Sequence, residues 1–300
     1  MLDIRSFYET DSGTWTHLLA DRATKAAAII DPVWVYDPVS GMADATFIDG
    51  VFAAADREGY RVDWVLETHA HADHLTAADY LRRKTGARIA CGAGIRDVQQ
   101  TFARVFNLPG VATDGSQFDR LLVEGDTLAL GSLEIRVLET PGHTGDSISY
   151  SVGNAVFVGD TLFAPGYGTA RCDFPGGDAG RLFDSVTRLH SLPDDTRIYL
   201  CHDYPEKGAE PVHSVTVGQS RRENIHIREG TSRQDFVAMR NKRDAKLGLP
   251  RLILPSLQVN ILAGAPPQAE DNGVSYLRTP FNCPLGALID STIQSGRTSK

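Results

Sequence analysis

Apolar positions open the chain in three short runs, Ile4 to Tyr8, Thr14 to Ala20 and Ala26 to Ile30, the last stopped by Asp31-Pro32. Runs of this length, alternating or wholly apolar and separated by turn-forming breaks, predict a three-stranded meander. The period then changes. Between Asp44 and Glu58, residues Phe47, Ile48, Val51, Phe52 and Ala55 fall at helical spacing, and Gly59 ends the pattern before a strand from Trp64 to Thr68. Helix, strand and helix follow at Leu75 to Lys84 (stopped by Gly86), Ala87 to Cys91 and Ile95 to Val105. This order predicts β-α-β-α units, with helices covering a sheet.

Strands return at Thr127 to Leu130, Leu133 to Glu139, Ser147 to Ser151 and Ala155 to Val158, with turns at Gly131-Ser132 and Gly153-Asn154. The last third predicts helices over Arg181 to Ser191, Val215 to Ile227 and Asp235 to Leu247, the last capped by Ser232 and stopped by Gly248. A short strand, Arg197 to Cys201, sits among them. No repeat of solenoid period is present. The expectation is one compact domain, a core over residues 1–204 with an extension over 205–300 packed on it.

Composition narrows the function classes. With 42% hydrophobic and 23% charged residues, the chain can bury a sizeable core. Its longest apolar runs, such as Ala26 to Ile30 and Val51 to Ala55, fall far short of the roughly 20 residues that cross a bilayer. No membrane partner is expected. The start, Met1-Leu2-Asp3-Ile4-Arg5, has an acid where a secretory signal has its positive region, which predicts a cytoplasmic protein. A net charge of -8 opposes binding to a phosphate backbone, so no nucleic acid is expected either. The four cysteines, Cys91, Cys172, Cys201 and Cys283, are scattered singly, which fits a reducing compartment and not a disulfide scaffold.

Histidine carries the chemistry. Thr68-His69-Ala70-His71-Ala72-Asp73-His74 packs three imidazoles and a carboxylate into six residues directly after a strand. A turn there can aim them at one point, and imidazole with carboxylate suits zinc, iron or manganese. His143 sits on the glycine-flanked stretch Pro141-Gly142-His143-Thr144-Gly145, Asp160 follows the strand ending at Val158, and His202 follows the strand ending at Cys201. Each alone reads as a turn residue. With the first cluster, each becomes a candidate ligand.

These motifs, H-x-H-x-D-H, G-H-T, G-D and a distant histidine, resemble the metallo-β-lactamase superfamily over about Thr14 to Tyr204. The resemblance implies an α/β fold, an αββα sandwich with the metal site at one edge and a short C-terminal extension. It also implies a first metal position formed by His69, His71 and His143 with Asp160, and a second by Asp73, His74 and His202 with Asp160 as bridge. Such a set permits a dinuclear zinc hydrolase of glyoxalase II type, whose bound hydroxide attacks a thioester or lactone. It equally permits one iron in a two-histidine, one-carboxylate arrangement.

The flanks are similar to the persulfide dioxygenase branch: Gly13-Thr14-Trp15-Thr16, Ile30-Asp31-Pro32-Val33, and Gly168 through Gly177 with Arg171-Cys172-Asp173-Phe174. The tail, Ser220 to Asn224 and Pro255 to Gly264, is similar to that branch's C-terminal extension. The stretches 34–43 and 106–120 exceed the usual family length. This resemblance implies one Fe(II) per chain on His69, His143 and Asp160, with zinc as a substitute. His71, Asp73, His74 and His202 then orient ligands and manage protons, or hold a second metal if one is present. The implied reactants are dioxygen and glutathione persulfide or a similar small persulfide, converted to sulfite and thiol in sulfide detoxification. A homodimer is compatible with the reading. A third alternative is a non-catalytic metal or sulfur sensor.

Substrate contacts follow from charge. An acidic protein needs a local cation for a carboxylate-bearing persulfide, and Arg171 is the candidate, its competing role being an ion pair with Asp173. Tyr204, following His202-Asp203, is a candidate to donate a hydrogen bond to bound sulfur or oxygen, against the commoner alternative of a packed tyrosine. Cys172 is a candidate for reaction with persulfide, against the alternative of a small buried hydrophobe.

Overall fold

The computed structural model describes residues 1–289. In chain order the strands are β1 (Leu2–Glu9), β2 (Thr14–Asp21), β3 (Ala26–Ile30), β4 (Val33–Asp37), β5 (Met42–Asp44), β6 (Arg61–Leu66), β7 (Leu75–Thr76) and β8 (Arg88–Gly92). They continue with β9 (Arg120–Leu122), β10 (Thr127–Leu130), β11 (Leu133–Glu139), β12 (Ile148–Val152), β13 (Ala155–Phe157), β14 (Arg197–Tyr199) and β15 (Ser214–Thr216). The helices are α1 (Thr46–Arg57), α2 (Ala78–Thr85), α3 (Ile95–Val105), α4 (Ala179–His190), α5 (Val217–Glu223), α6 (Arg233–Asp244) and α7 (Ile253–Asn260), with a 3-10 turn at Gly159–Thr161.

One sheet runs β1-β2-β3-β6-β8-β9 and the other β10-β11-β12-β13-β14-β15. The opening meander pairs antiparallel as its short breaks require. From β3 onward the first sheet is parallel, because α1, α2 and α3 are the crossovers between successive strands. The all-apolar β3 shows why both faces are needed. Ala26, Ala28 and Ile30 pack between the sheets with Leu128, Val137, Tyr150 and Phe157, while Ala27 and Ile29 pack outward with Ile48 and Val51 of α1 and Leu81 of α2. The outer face of the second sheet, Val156 and Ile198, meets Leu182, Val186 and Leu189 of α4 and Phe236 of α6. The result is an αββα sandwich.

The sequence expectations differ from the structure in five places, one of them the edge strand β9, which was not expected. Leu75 and Thr76, expected at the start of a helix, form β7 and pair with β4, and α2 begins at Ala78. The expected helix from Val215 starts as β15, because Thr216 holds an extended conformation and caps α5 through its side chain on the Gln219 amide. The stretch 34–43 is the β4–β5 hairpin, which joins β7 in a third, small sheet. Helix α7 was not expected, and it packs Ile253 and Leu257 against Phe102 and Phe106 at the end of α3. No helix among the described residues is long and apolar enough to cross a membrane.

Burial holds His17, His190 and His226 down at about 4. The ordinary value in an unfolded chain is about 6.5, so between roughly pH 6.5 and 4 the unfolded state binds protons that the folded state refuses. Stability is therefore fully present above that window and lost as pH falls through it. Urea melts of metal-free protein should show a lower midpoint at pH 5 than at pH 7, and equal midpoints would contradict this account.

Candidate metal centre

Four strand ends of the two facing sheets deliver the candidate ligands. The stretch after β6 carries His69, His71, Asp73 and His74, that after β11 carries His143, that after β13 carries Asp160, and that after β14 carries His202. They converge in two clusters, His69 with His143 and Asp160, and His71 with Asp73, His74 and His202, the donor atoms in each lying within 4.8 Å of one another. The clusters touch through Asp160. Its Oδ2 lies 3.6 Å from His143 Nε2 and 3.8 Å from His69 Nε2, and its Oδ1 lies 3.3 Å from His202 Nε2. On the far side, His202 Nε2 is 3.1 Å from Asp73 Oδ2. His71 groups with Asp73, His74 and His202, while its ring also lies 4.1 Å from that of His69, centroid to centroid; Asp31 takes its Nε2 and leaves Nδ1 without a hydrogen-bond partner.

The inward atoms fit a cation. Nε2 of His69, His74 and His202, Nδ1 of His71, Oδ2 of Asp73 and Oδ1 of Asp160 are buried without a hydrogen-bond partner among the described residues. Buried polar atoms left unpaired in such number cost several kcal/mol unless something neutralises them. Ligands bound at about 2.1 Å to one metal sit about 3 to 3.5 Å apart, close to the spacing found here. Imidazole and carboxylate suit zinc, iron or manganese alike.

Outer partners fix every ring. His71 Nε2 donates to Asp31 Oδ1 at 3.1 Å. His69 Nδ1 donates to Thr68 Oγ1 at 3.0 Å, which in turn donates to Asp31 Oδ2 at 2.9 Å. His143 Nδ1 donates to the Arg171 carbonyl at 2.6 Å, and His202 Nδ1 faces the Gly13 carbonyl at 3.3 Å. His74 Nδ1 lies 3.5 Å from Thr14 Oγ1. Each bond occupies the outward nitrogen and leaves the inward one bare, which sets the tautomer for metal binding. Burial, reinforced by the neighbouring imidazoles, holds His69 and His71 well below the ordinary histidine value, so both stay neutral donors. His202 behaves differently. Burial pulls it down, but Asp160 and Asp73 outweigh that and hold it above the ordinary value.

Asp31 reads in the sequence as a strand breaker and as part of the Ile30-Asp31-Pro32-Val33 flank, with no role at the metal centre. It accepts from Thr68 N, Thr68 Oγ1 and His71 Nε2, and the thiol of Cys201 points at its Oδ2 from 3.7 Å. Its backbone sits at φ +48°, a conformation that aspartate tolerates better than most residues.

The substrate-contact candidates are placed differently from one another. Arg171 donates through Nε and Nη2 to the Asp173 carboxylate, both at 2.6 Å, and through Nη1 to the Gly248 carbonyl, so its guanidinium is engaged within the protein. Its backbone carbonyl, not its charge, touches the site. Cys172 is packed among Val158, Leu162 and Leu182, and burial, with Asp244 nearby, pushes its thiol up to about 12. A neutral, buried thiol is a poor nucleophile, which favours the small buried hydrophobe as the role of Cys172. Tyr204 is half exposed and its ring stacks on His202, centroids 5.9 Å apart and planes within 4°. Gly13 makes room for it, since a Cβ there would lie 2.6 Å from the tyrosine ring. Although half of its surface is exposed, the packing of the ring against the site, with Asp73 and Asp160 nearby, holds the phenol proton above its ordinary range.

The family model of the metallo-beta-lactamase superfamily matches residues 15–202, which includes every candidate ligand. The chain belongs to that superfamily. A probable metallo-hydrolase of Burkholderia pseudomallei (strain 1710b) is 49% identical over 292 residues, which cover 94% of this chain and 99% of that protein. The crystal structure of ETHE1 from Myxococcus xanthus matches with TM-score 0.71 at 32% identity, over 88% of this chain and all of that one. By contrast, a hydroxyacylglutathione hydrolase of Rhodospirillum rubrum is 35% identical over 197 residues, 65% of this chain and 64% of that protein. The chain also spans 66% of a longer relative named beta-lactamase hydrolase-like protein in Xylella fastidiosa, at 43% identity. Within the superfamily frame, the two clusters occupy the edge where the sheets meet.

Proposed function

We propose that the protein is an iron-dependent persulfide dioxygenase acting on glutathione persulfide or a similar small persulfide. One observation carries the reading: His69, His143 and Asp160 form a two-histidine, one-carboxylate set of their own, the arrangement that suits iron with open positions for substrate and dioxygen. Similarity to ETHE1 over the whole of that chain supports it.

In the overall reaction the terminal sulfur of RSSH is oxidised, and RSSH, dioxygen and water give RSH and sulfurous acid, which ionises to sulfite. Iron bound on the three donors would supply the redox chemistry. The chain's own groups do the rest. Arg171 O and Thr68 Oγ1 keep His143 and His69 turned inward. Asp73 and His202, 3.1 Å apart and next to Asp160, are the groups beside the first set that would take up or return a proton. The Tyr204 phenol, held protonated, donates to bound sulfur or oxygen.

The second cluster is complete and shares Asp160, which favours a dinuclear zinc hydrolase as the other reading. One pair of assays separates them. Oxygen uptake with release of sulfite is expected on adding glutathione persulfide to anaerobically purified protein, and S-lactoylglutathione should be left intact. Rapid thioester hydrolysis without oxygen uptake would reverse the assignment.

A further inference from the structure

The second cluster depends on a residue far away in sequence. Asn260, the last residue of α7, is 4% exposed and donates through Nδ2 to two backbone carbonyls, His71 O and His74 O, both at 2.8 Å. Its Oδ1 accepts from Thr76 N at 2.9 Å. One side-chain amide thus uses both its N–H groups and its oxygen on the stretch 71–76. The two carbonyls belong to ligand candidates of the second cluster, and neither belongs to His69, His143 or Asp160.

The surrounding chain is shaped for this approach. Beyond Asn260, Gly264 turns at φ +88° against the same segment, and a Cβ there would lie 2.8 Å from Thr76 O and 3.0 Å from Asp79 N. Ile253, Leu257 and Ile261 press α7 onto Phe102, Val105 and Phe106 of the core, so the amide is delivered by a packed helix. An asparagine held in this way fixes the distance between the two carbonyls, and hence the spacing at which the His71 and His74 rings leave the backbone.

We propose that Asn260 is a positioning residue through which the C-terminal extension sets the geometry of the second cluster, and with it that cluster's affinity for a divalent cation. The proposal rests on the metal-centre reading and not on the reaction assigned to it. Outer partners of ligating residues commonly change metal affinity by about ten- to a hundredfold when removed. For Asn260 that loss should fall on one cluster only.

Titration of metal-free protein with cobalt(II), followed by its visible absorption, tests this without any assay of turnover. Wild-type protein should take up one cobalt tightly and a second more weakly. In Asn260→Ala the first should bind as before, with an unchanged spectrum, while the second binds about ten- to a hundredfold more weakly. Gln258→Ala is the control. Gln258 lies on the same helix and bonds to Leu254 O and the Arg278 backbone, so its loss should lower thermal stability and leave both cobalt affinities alone. Asn260→Leu, of nearly the same volume, decides the matter if the alanine variant does not fold. Equal weakening of both cobalts, no weakening of either, a wild type that takes up only one, or the collapse of both variants overturns the proposal. Absence of oxygen uptake with persulfide would not touch it.

Discussion

A His143→Ala protein is expected to fold, to hold no iron and to lose essentially all turnover, whereas His74→Ala should keep its iron and turn over slowly. The contrast follows from the two clusters. His143 Nε2 is one of three donors in the set with His69 and Asp160, and its Nδ1 is pinned to Arg171 O at 2.6 Å. Deleting it leaves two donors, too few to compete with water for iron. His74 belongs to the other set, its Nδ1 beside Thr14 Oγ1 and Asp73, so the first set survives its removal. Iron per chain, measured on anaerobically purified protein, reads both variants. If His74→Ala loses metal as completely as His143→Ala, or if wild-type protein holds two tight zincs, the centre is one dinuclear unit and the hydrolase reading gains.

Most of the donor set was legible in the sequence because four of its members are local. His69, His71, Asp73 and His74 sit on one stretch after β6, so residue type and spacing alone announce them. His143, Asp160 and His202 became candidates only beside that cluster, since one carboxylate or imidazole after a strand has no distinguishing pattern, and the resemblance then gave them their places. What could not be read was the backing. Arg171 drew notice for its charge, but the atom that matters is its carbonyl, and backbone atoms leave no trace in residue type. The same holds for Gly13 O behind His202.

Helix α7 hid for a different reason. Its stretch Ser256-Leu257-Gln258-Val259-Asn260 alternates polar and apolar residues, which is a strand's period, yet all five side chains are buried in a helix. Gln258 and Asn260 are inside because each finds backbone partners from other segments, which no one-dimensional pattern encodes. The metal loop and the helix that braces it are 184 residues apart at the Thr76–Asn260 bond.

Asp31 yields the other large effect. Alanine there should destabilise the metal-free protein by at least about 3 kcal/mol, because Thr68 N, Thr68 Oγ1 and His71 Nε2 all lose their acceptor in a buried setting. Alanine also tolerates the left-handed backbone at φ +48° less well than aspartate, which adds to the loss. Asp31→Asn separates side chain from backbone. It suits the same φ and keeps an oxygen for His71 Nε2, but it puts an amide N–H toward Thr68 Oγ1. That hydroxyl must then accept from the asparagine, and its own proton, released from Asp31, is free to turn toward His69 Nδ1 and compete with the Nδ1–H tautomer. The His69 ring is left without a fixed tautomer, and metal affinity should fall about ten- to a hundredfold while the fold largely holds. Competition against a fluorescent chelator gives the affinity, and urea melts of the metal-free protein give the stability. Were Asp31→Asn to bind metal as tightly as wild type, the chain from Asp31 through Thr68 to His69 would have no part in aiming the ligand, and Asp31 would act on stability alone.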